Sequence, residues 1–278
     1  MSAPALLEVN NLNVVFRVKS ARRVFGSTPV HAVKNVSFSI NEGEVLSLVG
    51  ESGCGKTTIG RVITRLEHVG TGAIRFDGEN ILALPNHQFR PLRKYIQMIF
   101  QDPFASLNPR LTVEKILAEP LFIHRLASNR SEARTQIATM LEKVGLDAKA
   151  MQRFPHEFSG GQRQRIGIAR VMMLKPRLII ADEAVSALDV SIQAQVLNLL
   201  KQLQRESGVA MLFISHDLAV VRHISDRIAV MYQGEIVEIN NRHQIFDNPQ
   251  HPYTQRLLSS IPVIPGKSTT RTSAGASL

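Results

Sequence analysis

The chain has 278 residues, 44% of them hydrophobic and 20% charged, the balance of a soluble globular protein long enough for one large domain with an insertion or a small appendage. Its single cysteine, Cys54, excludes an internal disulfide and argues against a cysteine-built metal cluster. The 33 Lys and Arg against 23 Asp and Glu leave a formal charge of +10, which suits a polyanion (nucleotide, nucleic acid or an anionic membrane face) and equally a solvated basic surface.

The first residues, from Met1 to Glu8, lack the basic-then-apolar layout of a signal peptide. Apolar runs such as 209–214 are too short to span a bilayer, so the chain is expected to stay in the cytosol unless another chain recruits it. Apolar–polar alternation predicts strands over 7–10 and 36–40, and the basic stretch 19–29, with Gly, Ser and Pro, reads as an inserted loop. Residues 45–49 are almost wholly apolar and end at Gly50, the pattern of a buried parallel strand. Another strand is predicted over 72–77, with a turn at Asp77 and Gly78.

From about 103 to 170 the spacing becomes helical, as in Val113, Ile116 and Leu117, then Ile137, Met140, Leu141 and Val144 with Gly145 as a C-cap. Strand-like runs return at 178–181, 211–215 and 227–231, separated by helical stretches such as 192–205. Strand and helix alternating in this way imply a parallel sheet with helices on its faces. Residues 266–278, rich in Ser, Thr, Gly and Ala, read as a disordered tail.

Three places carry chemistry. Gly50, Glu51, Ser52, Gly53, Cys54, Gly55, Lys56 and Thr57 match G-x-x-x-x-G-K-[ST] between an apolar strand and a helix start. Glycines let successive N–H groups turn inward as an anion nest, and the helix behind adds its positive end. Lys56 would reach β- and γ-phosphates and Thr57 ligate Mg²⁺; Thr58 completes the cradle. Cys54 is expected to be a small residue facing outward, where a modifying reagent would block nucleotide. At the end of the strand over 178–181, Asp182 can hold Mg²⁺ through its water shell, and Glu183 is placed to polarise an attacking water as general base. His216 follows the next apolar run, where it would line the crevice at the strands' carboxyl ends and contact the γ-phosphate. Third, Ser159 is a good N-cap, Gly160 and Gly161 permit close backbone approach, and Gln162 opens a helix: a second anion-binding helix start.

With Phe158, Ser159, Gly160, Gly161 and Gln162 the sequence resembles the ABC ATPases, whose signature is L-S-G-G-Q. The resemblance covers nearly the whole chain, with every landmark in order: Gln101 as the Q-loop glutamine, Asp182 and Glu183 as the Walker-B pair, Ser186 to Asp189 as the D-loop, His216 as the switch histidine. It implies an α/β P-loop NTPase fold of the ABC type, with a mostly parallel core sheet, an antiparallel β subdomain and an inserted helical subdomain. Residues 5–240 would form the ATPase domain, 241–265 a C-terminal extension and 266–278 the tail. The implied cofactors are ATP and Mg²⁺. Ser159, Gly160 and Gly161 would act in trans on the other subunit's nucleotide, Gln162 and Asp189 would also bind nucleotide, and Gln101 would link the γ-phosphate and Mg²⁺ to the helical insertion. The family's adenine-stacking aromatic is best matched by Phe16, with Phe25 a rival because the 19–29 insertion blurs the register.

The stretch from Ile99 to Pro109, the stretch from Ala187 to Gln195 and the ending His251, Pro252, Tyr253 resemble the peptide-uptake branch of dipeptide, oligopeptide and nickel importers, and in particular the second of their two ATPases. That branch implies two membrane permease subunits, a homologous ATPase or a second copy as dimer partner, an extracellular or periplasmic solute-binding protein, no nucleic acid, and a peripheral place on the cytoplasmic face of the membrane. Ala184 departs from the usual proline and Phe158 from the usual leucine; neither removes a reacting group. Lacking the C-terminal cysteines of some relatives, the chain is expected to carry no iron–sulfur cluster. The competing reading, a soluble ABC ATPase acting on nucleic acid or the ribosome, would lead one to look for a long coiled coil or two ATP-binding domains in one chain. The solute is not encoded in any of these residues.

Overall fold

The structure is a computed structural model and describes residues 4–19, 27–68 and 70–260; Phe25 and the expected tail lie outside the described residues. The alternation near the N-terminus forms a long hairpin. Strand β1 (Leu7–Lys19) pairs antiparallel with β2 (Ser27–Ile40), from Leu7 opposite Ile40 to Lys19 opposite Ser27. Both strands outrun the predicted 7–10 and 36–40, so Lys19 and 27–29 belong to the ladder rather than to an inserted loop. Pro29 obscured this in the sequence, yet β2 is an edge strand, where proline is tolerated.

β3 (Val45–Val49) is buried at every residue and leads through a loop into α1 (Lys56–Ile63). β4 (Thr71–Phe76) and β5 (Glu79–Asn80) complete a four-stranded antiparallel sheet in the order β2-β1-β4-β5. Their turn has Asp77 and Gly78 at φ 55° and 80°, the left-handed pair a two-residue hairpin requires. Next comes α2 (Asn86–Leu92), which contains Pro91, then β6 (Ile96–Ile99).

The helical insertion follows: α3 (Pro103–Ser106), α4 (Val113–Ile123), α5 (Arg130–Lys143), two short 3-10 turns and α6 (Gly160–Met172). Gly145, at φ 73°, lies just past the end of α5, as the spacing predicts. β7 (Leu178–Asp182), α7 (Val190–Ser207), β8 (Ala210–Ser215), α8 (Leu218–Ile224), β9 (Arg227–Tyr232), β10 (Glu235–Asn241), α9 (Arg242–Asp247) and α10 (Pro252–Ser259) complete the described chain.

The second sheet runs β10-β9-β3-β8-β7-β6 and is parallel except for β10. Because successive side chains alternate faces, Leu46 and Leu48 pack toward the antiparallel sheet with Leu7, Ile40 and Ile59. Val45 and Val49 pack on the other side with Ile166, Leu200 and Val221. The parallel sheet is thus filled on both faces, which is why its strands read as apolar runs. Among the described residues no helix is long and apolar enough to cross a membrane.

Candidate active site

The carboxyl ends of β3, β8 and β7 lie side by side, Val49 next to Ser215 and Ile214 next to Asp182, at the edge where open α/β sheets bind ligands. The loop leaving β3 threads between two backbones. A Cβ on Gly50 would come within 2.1 Å of the Met231 carbonyl oxygen, and one on Gly55, at φ 105°, within 2.2 Å of the Ala32 carbonyl oxygen. Only glycine fits either place. The same Ala32 oxygen lies 3.2 Å from where Gly234, at φ 92°, would carry a Cβ.

Lys56 is buried and folds back under the loop, its Nζ donating to the Gly50 and Glu51 carbonyls at 2.8 Å each. The Thr57 hydroxyl donates to Asp182 Oδ1 at 2.9 Å. Asp182 is 5% exposed; burial pushes its carboxyl above the usual carboxylate range, opposed by the Thr57 hydrogen bond.

The neighbouring carboxylate faces elsewhere because Glu183 sits at φ 47°, with its N–H donating to the Ile214 carbonyl at 2.9 Å. A non-glycine residue there stores strain, as functional sites often do. Glu183 Oε2 accepts from Gln101 Nε2 at 2.9 Å, and Oε1 lies 3.2 Å from His216 Nδ1. A cavity of about 250 Å³ is lined by Ala32, Ser52, Gly53, Gly55, Lys56, Thr57, Thr58, Gln101 and Glu183. Ala32 has no motif to announce it; its backbone approach to Gly55 puts it there.

Cys54 corrects the sequence expectation: it does not face outward but is buried, its Sγ 3.7 Å from Lys56 Nζ. Burial pushes the thiol's pKa up, against the lowering pull of Lys56.

Ser159 to Gln162 stand apart from this cavity, none of them lining it. Ser159 Oγ accepts from the Gln162 N–H at 3.3 Å and Gln162 Oε1 from the Ser159 N–H at 3.0 Å, a reciprocal capping box that opens α6. The two glycines differ. A Cβ on Gly161 would lie 2.3 Å from Ile192 Cγ2 of α7, whereas one on Gly160 would meet Leu188 at an ordinary 3.6 Å. Phe158, in place of leucine, is buried under the Arg153 guanidinium, 4.3 Å from its ring centroid. Asp189 precedes α7 without capping it through its side chain, and the next residue, Val190, is 84% exposed. Phe16 is half-buried against the antiparallel sheet and does not line the cavity.

The chain is similar to known proteins over most of its length. Residues 33–186 match the ABC transporter family, and residues 237–277 match the oligopeptide/dipeptide transporter C-terminal region. The chain is 54% identical to the glutathione import ATP-binding protein GsiA of Pectobacterium atrosepticum over 94% of its own length and 42% of that protein's. It is also 54% identical to the oligopeptide transport ATP-binding protein AppF of Bacillus subtilis, over 93% of this chain and 78% of that one. Among solved structures, a dimeric post-hydrolysis state of the ATP-binding cassette MJ0796 bound to ADP and Pi superimposes with a TM-score of 0.74 at 29% identity, covering 85% of this chain and 98% of the other. The mixed sheets, the inserted helices and these matches agree: the chain belongs to the ABC transporter family, as one of its ATP-binding ATPase cassettes.

Proposed function

We propose that this chain binds and hydrolyses ATP to drive uptake of peptides, or of a small solute of related chemistry, through a membrane permease. The observation that carries the reading is the convergence on one cavity of Lys56, Thr57, Gln101 and Glu183, with Asp182 bonded behind Thr57 and His216 beside Glu183. The relatives named for oligopeptide and glutathione import, and the matched C-terminal region, supply the class of cargo.

Each residue has a job in that reading. The loop residues that line the cavity, Ser52, Gly53, Gly55, Lys56, Thr57 and Thr58, offer N–H groups to phosphate oxygens, and Lys56 exchanges its two loop carbonyls for the β- and γ-phosphates. Thr57 and Asp182 present two oxygens at a buried, under-compensated carboxylate, a donor set that fits a hard divalent cation. Mg²⁺ held there, with Gln101 nearby, would neutralise charge on the transferring phosphoryl group. Glu183 takes the proton of the attacking water, while Gln101 and His216 orient its carboxylate and the γ-phosphate. Phe16, on the hairpin whose Ala32 lines the cavity, is assigned to adenine.

Ser159, Gly160, Gly161, Gln162 and Asp189 complete the site of a second ATPase, either another copy or a homologous chain. Their distance from the chain's own cavity supports that trans role. Two permease subunits and an extracellular or periplasmic solute-binding protein complete the assembly. The chain then sits peripherally on the cytoplasmic face of the membrane. Exposed Leu66, Phe100 and Ile123, at a cleft next to Gln101, offer the permease an apolar seat beside the switch it must move.

Light scattering on the Glu183→Gln chain, with and without ATP, tests this. Mass doubling with ATP is expected if two copies suffice. A chain that neither binds ATP nor hydrolyses it as wild type would overturn the reading.

A further inference from the structure

The peptide unit joining Gly50 to Glu51 is held from both sides. Its carbonyl accepts from Lys56 Nζ at 2.8 Å, and its N–H donates to the phenol oxygen of Tyr253 at 3.2 Å. Tyr253 lies 202 residues further along, in α10, and is 3% exposed. Its ring packs on Tyr232 at the end of β9, with centroids 4.2 Å apart.

Local chemistry explains how a helix near the C-terminus reaches the loop. Glu238 on β10 accepts from the N–H groups of Gln250 and His251 at 2.9 and 3.0 Å, fixing the approach. His251 Nδ1 then accepts from the Tyr253 N–H at 3.1 Å as an N-cap. Pro252 takes the first helical position, where its missing N–H costs nothing. His251, Pro252 and Tyr253 therefore act in turn as cap, opener and arm.

We infer that Tyr253 is a positioning residue for the phosphate cradle: its hydroxyl sets the plane of the Gly50–Glu51 peptide and, through it, the seat of Lys56. The inference rests on the nucleotide reading above. A peptide unit is rigid, so orienting its N–H orients the carbonyl on the opposite side. Gly50, at φ 152° with no side chain, has little restraint of its own, and the plane depends on outside partners. A loop held in place before the ligand arrives loses less freedom on binding, which appears as affinity. The C-terminal region thereby becomes part of the nucleotide site rather than an appendage to it.

Tyr253→Phe removes the hydroxyl and keeps the ring against Tyr232. Binding of a fluorescent ATP analogue, steady-state ATP hydrolysis and amide exchange over residues 50–56 would be measured on the full chain. One lost hydrogen bond predicts an analogue Kd and a KM for ATP about three- to tenfold higher. The thermal midpoint falls by no more than a few degrees, kcat stays near wild type, and the Glu51 amide exchanges faster. A merely structural tyrosine would lower the midpoint to the same extent and leave KM and the analogue Kd alone. If wild type binds the analogue and the Phe variant binds it equally well, the positioning role is overturned. If wild type itself fails to bind, the nucleotide reading falls first and takes this inference with it.

Discussion

The side-chain amide of Gln101 donates to Glu183 Oε2 at 2.9 Å, joining residues 82 positions apart at the mouth of the cavity. Gln101 stands between the end of β6 and the start of the helical insertion. Any shift of that insertion therefore changes the partner of the proposed base. Glu183→Gln should keep nucleotide affinity and lose about 10²- to 10⁴-fold in kcat, the usual contribution of general base catalysis. Hydrolysis at the wild-type rate would remove Glu183 from the mechanism.

Asp182 is a buried carboxylate with one hydroxyl donor, and its raised pKa marks it as a cost to the chain without ligand. Asp182→Asn should therefore stabilise the nucleotide-free chain, raising its urea midpoint at neutral pH, where the carboxylate is charged. The same substitution should abolish Mg²⁺-dependent hydrolysis. Destabilisation instead would mean that the charge is better compensated than the Thr57 contact indicates.

The two glycines that follow Ser159 should fail differently. Gly161→Ala drives a methyl group into Ile192 and should cost about 1–3 kcal/mol through overpacking of α6 on α7, lowering the melting temperature. Gly160→Ala has ordinary room beside Leu188 and should melt like wild type, while weakening ATP-dependent dimerisation. Equal melting temperatures for the two variants would contradict the packing assignment.

Cys54 should be a slow nucleophile. Burial holds its thiol protonated above the ordinary range, so at pH 8 the reactive thiolate is scarcer than in free cysteine. Alkylation by iodoacetamide should lag behind a model thiol between pH 7 and 9, the lag narrowing as pH rises and vanishing in denaturant. Rapid labelling of the folded chain would show the loop opening readily.

The sequence reveals this protein where function and backbone pattern are local. The glycine loop, the adjacent acids of β7, the Ser159 N-cap and the apolar parallel strands each occupy a short window. The structure places all of them where the spacing predicts. What escaped depends on residues far apart. Whether Cys54 points out or in is decided by Lys56 and the neighbouring strands, and nothing in the motif encodes it. The length of the hairpin was hidden by Pro29, whose meaning changes once β2 is an edge. The arm from Tyr253 to Glu51 spans 202 positions and joins a side chain to a main-chain group, so no spacing announces it.

The Ala32 carbonyl beneath Gly55 and Gly234 has a consequence for inheritance. Three segments, β2, the phosphate loop and the turn between β9 and β10, meet at one main-chain oxygen, which no substitution at position 32 can delete. Drift at Gly55 is barred unless β2 also moves, Gly234 is held to glycine by its φ of 92°, and β2 is tied to β1 through bulges that fix its register. Hybrid genes that exchange β2 alone between distant relatives should therefore work only when both parents share the same bulges, however well their phosphate loops agree.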